Sequence, residues 1–174
     1  MKTYIEIMVP IRYDAHWFES LRKVLHSVDV RWQKGYYHIT MAFMDETAER
    51  ADWKSILDRH FGQIPAFKFT FDKIDVFTSW PGKHIVYLTA TQVPERFTSL
   101  VEAVRGEMVD AGCRIQSDFK LHVTLGRANF PNSKLNTIRE RINTIVVPKL
   151  SLTLTDVDFR VFRGPVIYET SMSK

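Results

Sequence analysis

The stretch Tyr36-Tyr37-His38-Ile39-Thr40-Met41-Ala42-Phe43 has a counterpart in the second half of the chain, Phe119-Lys120-Leu121-His122-Val123-Thr124-Leu125-Gly126-Arg127. Both read as strands, and residues two apart on a strand project to the same face. His38 and Thr40 therefore point one way while Ile39 and Met41 point the other. His122 and Thr124 stand in the same relation to Val123 and Leu125. The apolar partners belong to a core, and the His–Thr pairs line a surface or cleft. With 6 His and 14 Thr in 174 residues, about half a His-x-Thr match arises by chance. The weight of the pair comes from its placement, one motif on an apolar strand in each half.

Working outward, β-rich or alternating runs predict strands at Thr3–Val9, Tyr36–Met44, Phe67–Phe77, His84–Thr91, Lys120–Arg127, Leu150–Phe162 and Val166–Ser171. Helical spacing predicts Ala15–Ser27, Ala48–Phe61, Glu95–Ala111 and Lys134–Ile145. The third helix is the clearest, with Phe97, Leu100, Val101, Val104 and Met108 on one stripe and Gly112 where a C-terminal glycine belongs. Asp14 and Ser133 are candidate N-caps for the first and last helices. Strong alternation and short connections favour antiparallel pairing with one covered face. The class is α+β. No glycine-rich phosphate loop follows a strand, which argues against a doubly wound sheet. Strand–helix units recur in each half, so one domain over residues 1–174 with two pseudo-symmetric lobes is expected.

Composition is that of an ordinary globular chain, 45% hydrophobic and 25% charged. A net charge of +4 leans mildly toward anionic partners. The single cysteine, Cys113, forbids an intramolecular disulfide and predicts a reducing, cytoplasmic setting and a small buried side chain. Glu6 interrupts the first apolar run, so no signal-peptide core forms. No stretch approaches a membrane span, and a monomer is expected.

Two opposed histidines suit phosphodiester cleavage, since a neutral imidazole can take a proton from water while a protonated one gives a proton to the leaving ribose oxygen. Thr40 and Thr124 can donate to non-bridging phosphate oxygens. Arg127 offers a bidentate fork. Strict alternation puts it on the face opposite His122, unless a bulge at Gly126 re-aims it. His16 and His26 read as solvated helix residues, His60 as a capping or surface group, and His84 as a strand residue with a small chance of reaching the cleft. Trp80-Pro81-Gly82-Lys83 reads as a turn, and Arg12 and Tyr13 as a solvated loop. No H-E-x-x-H, Cys–His cluster or acidic loop calls for a metal.

With these motifs the chain resembles the two-histidine (2H) phosphoesterase superfamily, and within it the RNA 2′,3′-cyclic phosphodiesterase branch, also described as 2′-5′ RNA ligase-like. That branch extends its motifs to H-x-T-x-x-F and H-x-T-L-x-R, matched by His38 to Phe43 and His122 to Arg127. Val30-Arg31-Trp32 and the ending Phe162 to Tyr168 match further segments. The resemblance implies a bilobal fold of two antiparallel-rich sheets, with helices outside and the site between the lobes. It implies His38 as general acid, His122 as general base, and Thr40, Thr124 and Arg127 as phosphate holders, with no metal or cofactor. Phe43 matches the motif but alternates onto the Ile39 face, so it is expected in the core. Leu121 stands in place of a usual proline, Lys120 in place of a small or polar residue, and the final hairpin turn is short. The expected activity is hydrolysis of cyclic phosphates on RNA ends or nucleotides. A small cyclic phosphate, a 2′-5′ linked oligonucleotide, or a non-catalytic RNA-binding module remain open.

Overall fold

Apolar side chains alternate along the long strands, and that alternation sorts them into a helix-covered face and an open one. The structure is a computed structural model describing residues 1–49, 51–115 and 117–173. The chain runs β1 (Thr3–Met8), α1 (His16–Val24), β2 (Asp29–Trp32), β3 (His38–Glu46), α2 (Trp53–Phe61), β4 (Phe67–Phe71), β5 (Lys73–Trp80) and β6 (Lys83–Thr89). It continues through α3 (Glu95–Asp110), β7 (Arg114–Ile115), β8 (Val123–Asn129), α4 (Leu135–Asn143), β9 (Leu150–Leu154), β10 (Asp156–Val161) and β11 (Val166–Ser171). The large sheet has the order β11-β10-β1-β3-β8-β6-β5, with β2 also on β8 and β7 also on β3. β4 and β9 pair separately. The strand pairs are antiparallel throughout.

The predicted α+β class with antiparallel pairing is what the chain adopts, but the two expected sheets are joined into one large sheet, with only β4–β9 apart. One lobe's sheet is β10-β1-β3 with β7, the other's is β5-β6-β8 with β2, and the halves meet at a single ladder pair, Ile39 opposite Val123. Beneath the sheet, Ile5, Ile7, Ile39, Val86, Leu88 and Val123 pack with Phe18 and Leu21 of α1, Phe97 and Val104 of α3, and Ile138 of α4 in one core cluster. Cys113 is buried. Among the described residues no helix is long and apolar enough to cross a membrane.

Several predicted boundaries move for identifiable reasons. The run Phe67–Phe77 is two strands of different sheets, broken at Asp72, whose carboxylate accepts the Thr91 amide (2.8 Å) and hydroxyl (2.9 Å). Leu150–Phe162 is likewise two strands, broken at Thr155, whose carbonyl accepts the Met172 amide. The short strands β2 and β7 were not expected, because four and two residues give too little alternation to read. Asp14 does not cap α1. It pairs with Arg12 at 2.8 Å, and the N-cap is Ala15. Ser133 does not cap α4, which follows a 3-10 turn at Asn132–Lys134. The neighbouring Asn132 side chain instead accepts the amide of Gly82. The predicted helix start at Ala48 shifts to Trp53, capped by Asp52 on the Ser55 amide; residue 50 lies outside the described residues. Gly112 does end α3, at φ +92°, where a Cβ would be strained.

Gly126 has a packing role. A Cβ there would lie 2.8 Å from Val30 Cγ1 and 2.9 Å from Trp32 Cε3, so β2 can cover β8 because this position has no side chain. Gly126→Ala should cost about 1–3 kcal/mol through overpacking, read as a fall in the urea midpoint with an unchanged slope.

Candidate active site

His38 opens β3 and His122 immediately precedes β8, so the Ile39–Val123 pair sets both rings on the open face of the sheet. Thr40 and Thr124 follow at half-buried positions on that face, while Ile39 and Val123 are fully buried.

The residues at the ends of the two motifs, Phe43 and Arg127, lie five positions beyond their histidines. An odd spacing would put them on the core side of a regular strand. Each strand carries a bulge that corrects this. In the β1–β3 ladder Ile5 faces Ala42 and Glu6 faces Thr40, so Met41 is the extra residue. In the β6–β8 ladder Val86 faces Gly126 and Tyr87 faces Thr124, so Leu125 is the extra residue. A bulge shifts the alternation by one. Ala42 and Gly126 therefore turn inward, and Phe43 and Arg127 turn out to the cleft side. The expectation that Phe43 is core is corrected: its ring is half-buried, stacks on Tyr4 at 4.8 Å and lies 6.0 Å from Phe162. Arg127 is re-aimed too, with the extra residue at Leu125 and not at Gly126.

The carbonyls displaced by the bulges are satisfied. Met41 O accepts from the Arg105 guanidinium at 3.1 Å, and Leu125 O accepts from the Gln33 amide at 2.8 Å. Leaving such a group buried and unpaired would cost about 1–3 kcal/mol.

The two histidines sit in different surroundings. The Nδ1 of His122 is 2.9 Å from Lys120 O. A carbonyl only accepts, so Nδ1 carries the proton and Nε2 keeps its lone pair. The ring stands edge-on to Phe77 (5.5 Å) and Tyr87 (6.0 Å), and Lys120 Nζ lies 4.2 Å from the Phe77 centroid. Burial, opposed by the Lys120 hydrogen bond and aided by the charges of Lys120 and Arg127, holds its pKa below the ordinary 6.5. His38 is pushed further, to about 4, by burial first and then by the charges of His122, Arg160 and Arg127. Its Nε2 lies 3.2 Å from the Glu6 carboxylate.

Beside His122 lies a pocket of about 340 Å³ lined by Tyr4, Thr40, Phe43, Phe77 and Lys120, among others. A second, of about 360 Å³, is lined by Arg31, Lys83, Arg127 and Asn129. Arg31 faces Arg127 across the β2–β8 ladder. Trp80, at the tip of the β5–β6 hairpin, is exposed.

The other histidines do not join the pair, although His84 contributes to the wall of the second pocket. His84 is buried, with Nε2 2.9 Å from Phe130 O and its ring stacked on Phe130 at 3.7 Å. His60 is not a surface group, since it bridges α2 to α3 with Nε2 3.0 Å from Glu107. His16 and His26 are exposed. Among the described residues no three His, Cys, Asp or Glu side chains converge as a metal set would. The sequence reading did not single out Glu6, Tyr36, Phe77 or Arg160. The one available signal was a carboxylate at a cleft-facing position of the otherwise apolar strand β1.

A model of the 2′-5′ RNA ligase superfamily matches residues 13–166. A search of curated protein sequences gave no match. Among solved structures, TT0787 of Thermus thermophilus is 19% identical, with a TM-score of 0.68 over 99% of this chain and 98% of that one. Escherichia coli LigT complexed with 3′-AMP is 17% identical, with a TM-score of 0.62 over 100% of both chains. Kluyveromyces marxianus Usb1 with uridine monophosphate is 11% identical, with a TM-score of 0.62 over 99% and 98%. At these identities the structural likeness concerns the fold alone.

In a side-chain NMR titration His122 should protonate below pH 6.5, and Lys120→Met should raise that midpoint, because a neighbouring cation is removed while the carbonyl acceptor stays. An unmoved midpoint would remove Lys120 from the electrostatics of the ring.

Proposed function

Because the chain belongs to the 2′-5′ RNA ligase superfamily, whose members are two-histidine phosphoesterases or ligase-like enzymes, we propose that it hydrolyses 2′,3′-cyclic phosphates at RNA ends or on nucleotides. The observation that carries the reading is the unequal setting of the two rings about one strand pair. His122 is a neutral imidazole with a free Nε2, as a general base requires. His38 lies against a carboxylate, and that contact, set against the lowering of its pKa by burial, is what assigns it the acid role here.

In the proposed step, water attacks phosphorus and gives its proton to His122 Nε2. The new P–O bond forms as the bond to one ribose oxygen breaks, and that oxygen takes a proton from His38. The product is a phosphomonoester, and one water is consumed. Thr40 and Thr124 donate hydroxyls to the non-bridging oxygens, and Arg127 supplies a two-pronged positive charge. Phe43 and Tyr4 give a base a flat aromatic seat. Arg31 and Lys83, continuing outward from Arg127, suit the phosphates of a longer strand and favour RNA ends over small cyclic phosphates.

The direct test is incubation with cyclic mononucleotides, cyclic-ended oligonucleotides and 2′-5′ linked oligonucleotides, in strong chelator, with products resolved by regiochemistry. Turnover of the cyclic substrates in chelator is expected. Turnover that needs a divalent ion, or binding without turnover, would defeat the proposal.

His38→Ala and His122→Ala should each lower kcat/KM about 10²–10⁴-fold in a protein that still folds. The double variant should lose far less than the product of the two. Activity should rise with pH through a midpoint below 6.5, because the base must be unprotonated and His122 is depressed. A folded single variant with near wild-type rates would show that histidine to be structural.

Arg127→Lys exchanges a two-pronged donor for a point charge. It should cost about 1.5–3 kcal/mol in kcat/KM, and unchanged kinetics would take Arg127 out of the site.

A further inference from the structure

Glu6 is a carboxylate in the middle of β1, and its residue is 3% exposed. It faces Thr40 in the β1–β3 ladder and stands on the cleft side, between the buried Ile5 and Ile7. Its Oε1 lies 3.2 Å from His38 Nε2. Its Oε2 accepts a hydrogen bond from the Tyr36 hydroxyl, with Arg160 Nε 3.5 Å away. The Tyr36 ring lies 4.8 Å from the His38 ring, and the Arg160 guanidinium sits 4.7 Å from the same Tyr36 ring. An isolated buried carboxylate is strongly disfavoured. Here three groups converge on it, and one of them is the histidine assigned as the acid.

We propose that Glu6 is a positioning residue for His38: its carboxylate orients the imidazole and holds a proton on it between turnovers, so that the two act as one acid. This rests on the reading of His38 as general acid. Among the described residues His122 has no carboxylate partner, and its Nδ1–H goes to a neutral carbonyl. The pseudo-symmetric cleft is thereby divided into an acid side and a base side. The counterpart of Glu6 in the second lobe is Tyr87, which faces Thr124 as Glu6 faces Thr40.

The charged and titratable groups around the pair are Tyr4 on the same strand, Tyr36 before β3, Asp158 and Arg160 on β10, and His122 and Arg127 from the other lobe. Burial and Asp158 push the Glu6 carboxyl up, while Tyr36 and Arg160 pull it down. Burial and its cationic neighbours lower the His38 pKa, and a carboxylate at contact distance is the one neighbouring group among the described residues that favours the charged ring against them. The pair then titrates as a unit. The His38 Nδ1 is buried and meets no protein partner among the described residues, so Nε2 is the nitrogen that Glu6 holds. The proton given to the ribose oxygen is returned from solvent as His122 releases its own.

The test is Glu6→Gln, with His38 followed by side-chain NMR titration and assigned by comparison with His38→Ala. kcat and KM are measured against pH on a 2′,3′-cyclic mononucleotide. Glutamine keeps the size and removes the charge. The His38 midpoint should fall by about one unit or more, and the alkaline limb of kcat should move to lower pH with it. At pH 7 kcat should drop about tenfold or more, with KM within about twofold and the His122 limb in place. Glu6→Asp should recover part of the loss. Tyr36→Phe, which removes a donor to the ionised carboxylate, should move the His38 midpoint the same way by less, and it carries the test if Glu6→Gln does not fold. An unmoved His38 midpoint in a folded variant overturns the proposal. A moved midpoint in a protein that opens no cyclic phosphate upholds the pairing and defeats the hydrolytic reading instead.

Discussion

Ile39 faces Val123 across a single ladder pair, and the cleft is built around that contact. Two antiparallel strands that touch at one point and then diverge leave their open faces turned toward a shared space. Because they run in opposite directions, whatever follows one histidine has a counterpart after the other. Both apolar side chains are fully buried, so a one-residue slip in either strand would exchange core for cleft along that strand.

The two bulges are the second constraint. Phe43 and Arg127 differ in chemistry, yet each reaches the cleft side because the residue two before it drops out of register. The carbonyls at these points are bound by Arg105 from α3 and by Gln33 beyond β2. A helix on one side and an added strand on the other thus stabilise a local irregularity that the ladder itself would disfavour. Gly126 lets β2 approach closely enough to do so.

Electrostatics then break the pseudo-symmetry. One lobe presents Arg31, Lys83, Lys120 and Arg127. The other places Glu6 beside Arg160 and, at its far edge, Asp156, Asp158 and Glu169. The same backbone arrangement therefore carries a cationic flank on one side and a buried carboxylate in contact with His38 on the other. The aromatic rings Tyr4, Phe43 and Phe77 line the middle of the cleft.

The sequence by itself determined the α+β class, most strands and helices, and the two strands that carry the histidines, because each is long enough for its periodicity to be read locally. It also raised the pairing of the two motifs. It did not determine that Phe67–Phe77 and Leu150–Phe162 change sheets midway, since alternation continues across the break and the partner strand is distant in sequence. It put Phe43 on the wrong face, because a bulge is a relation between two strands and leaves no mark on the period of one. Glu6 could be seen as an odd charge in an apolar run, but its partner, His38, comes from the next strand in the sheet and Arg160 from nearly the far end of the chain. What tertiary structure alone decided was the long-range register: which side chains meet depends on how distant strands align, and no local pattern encodes that alignment.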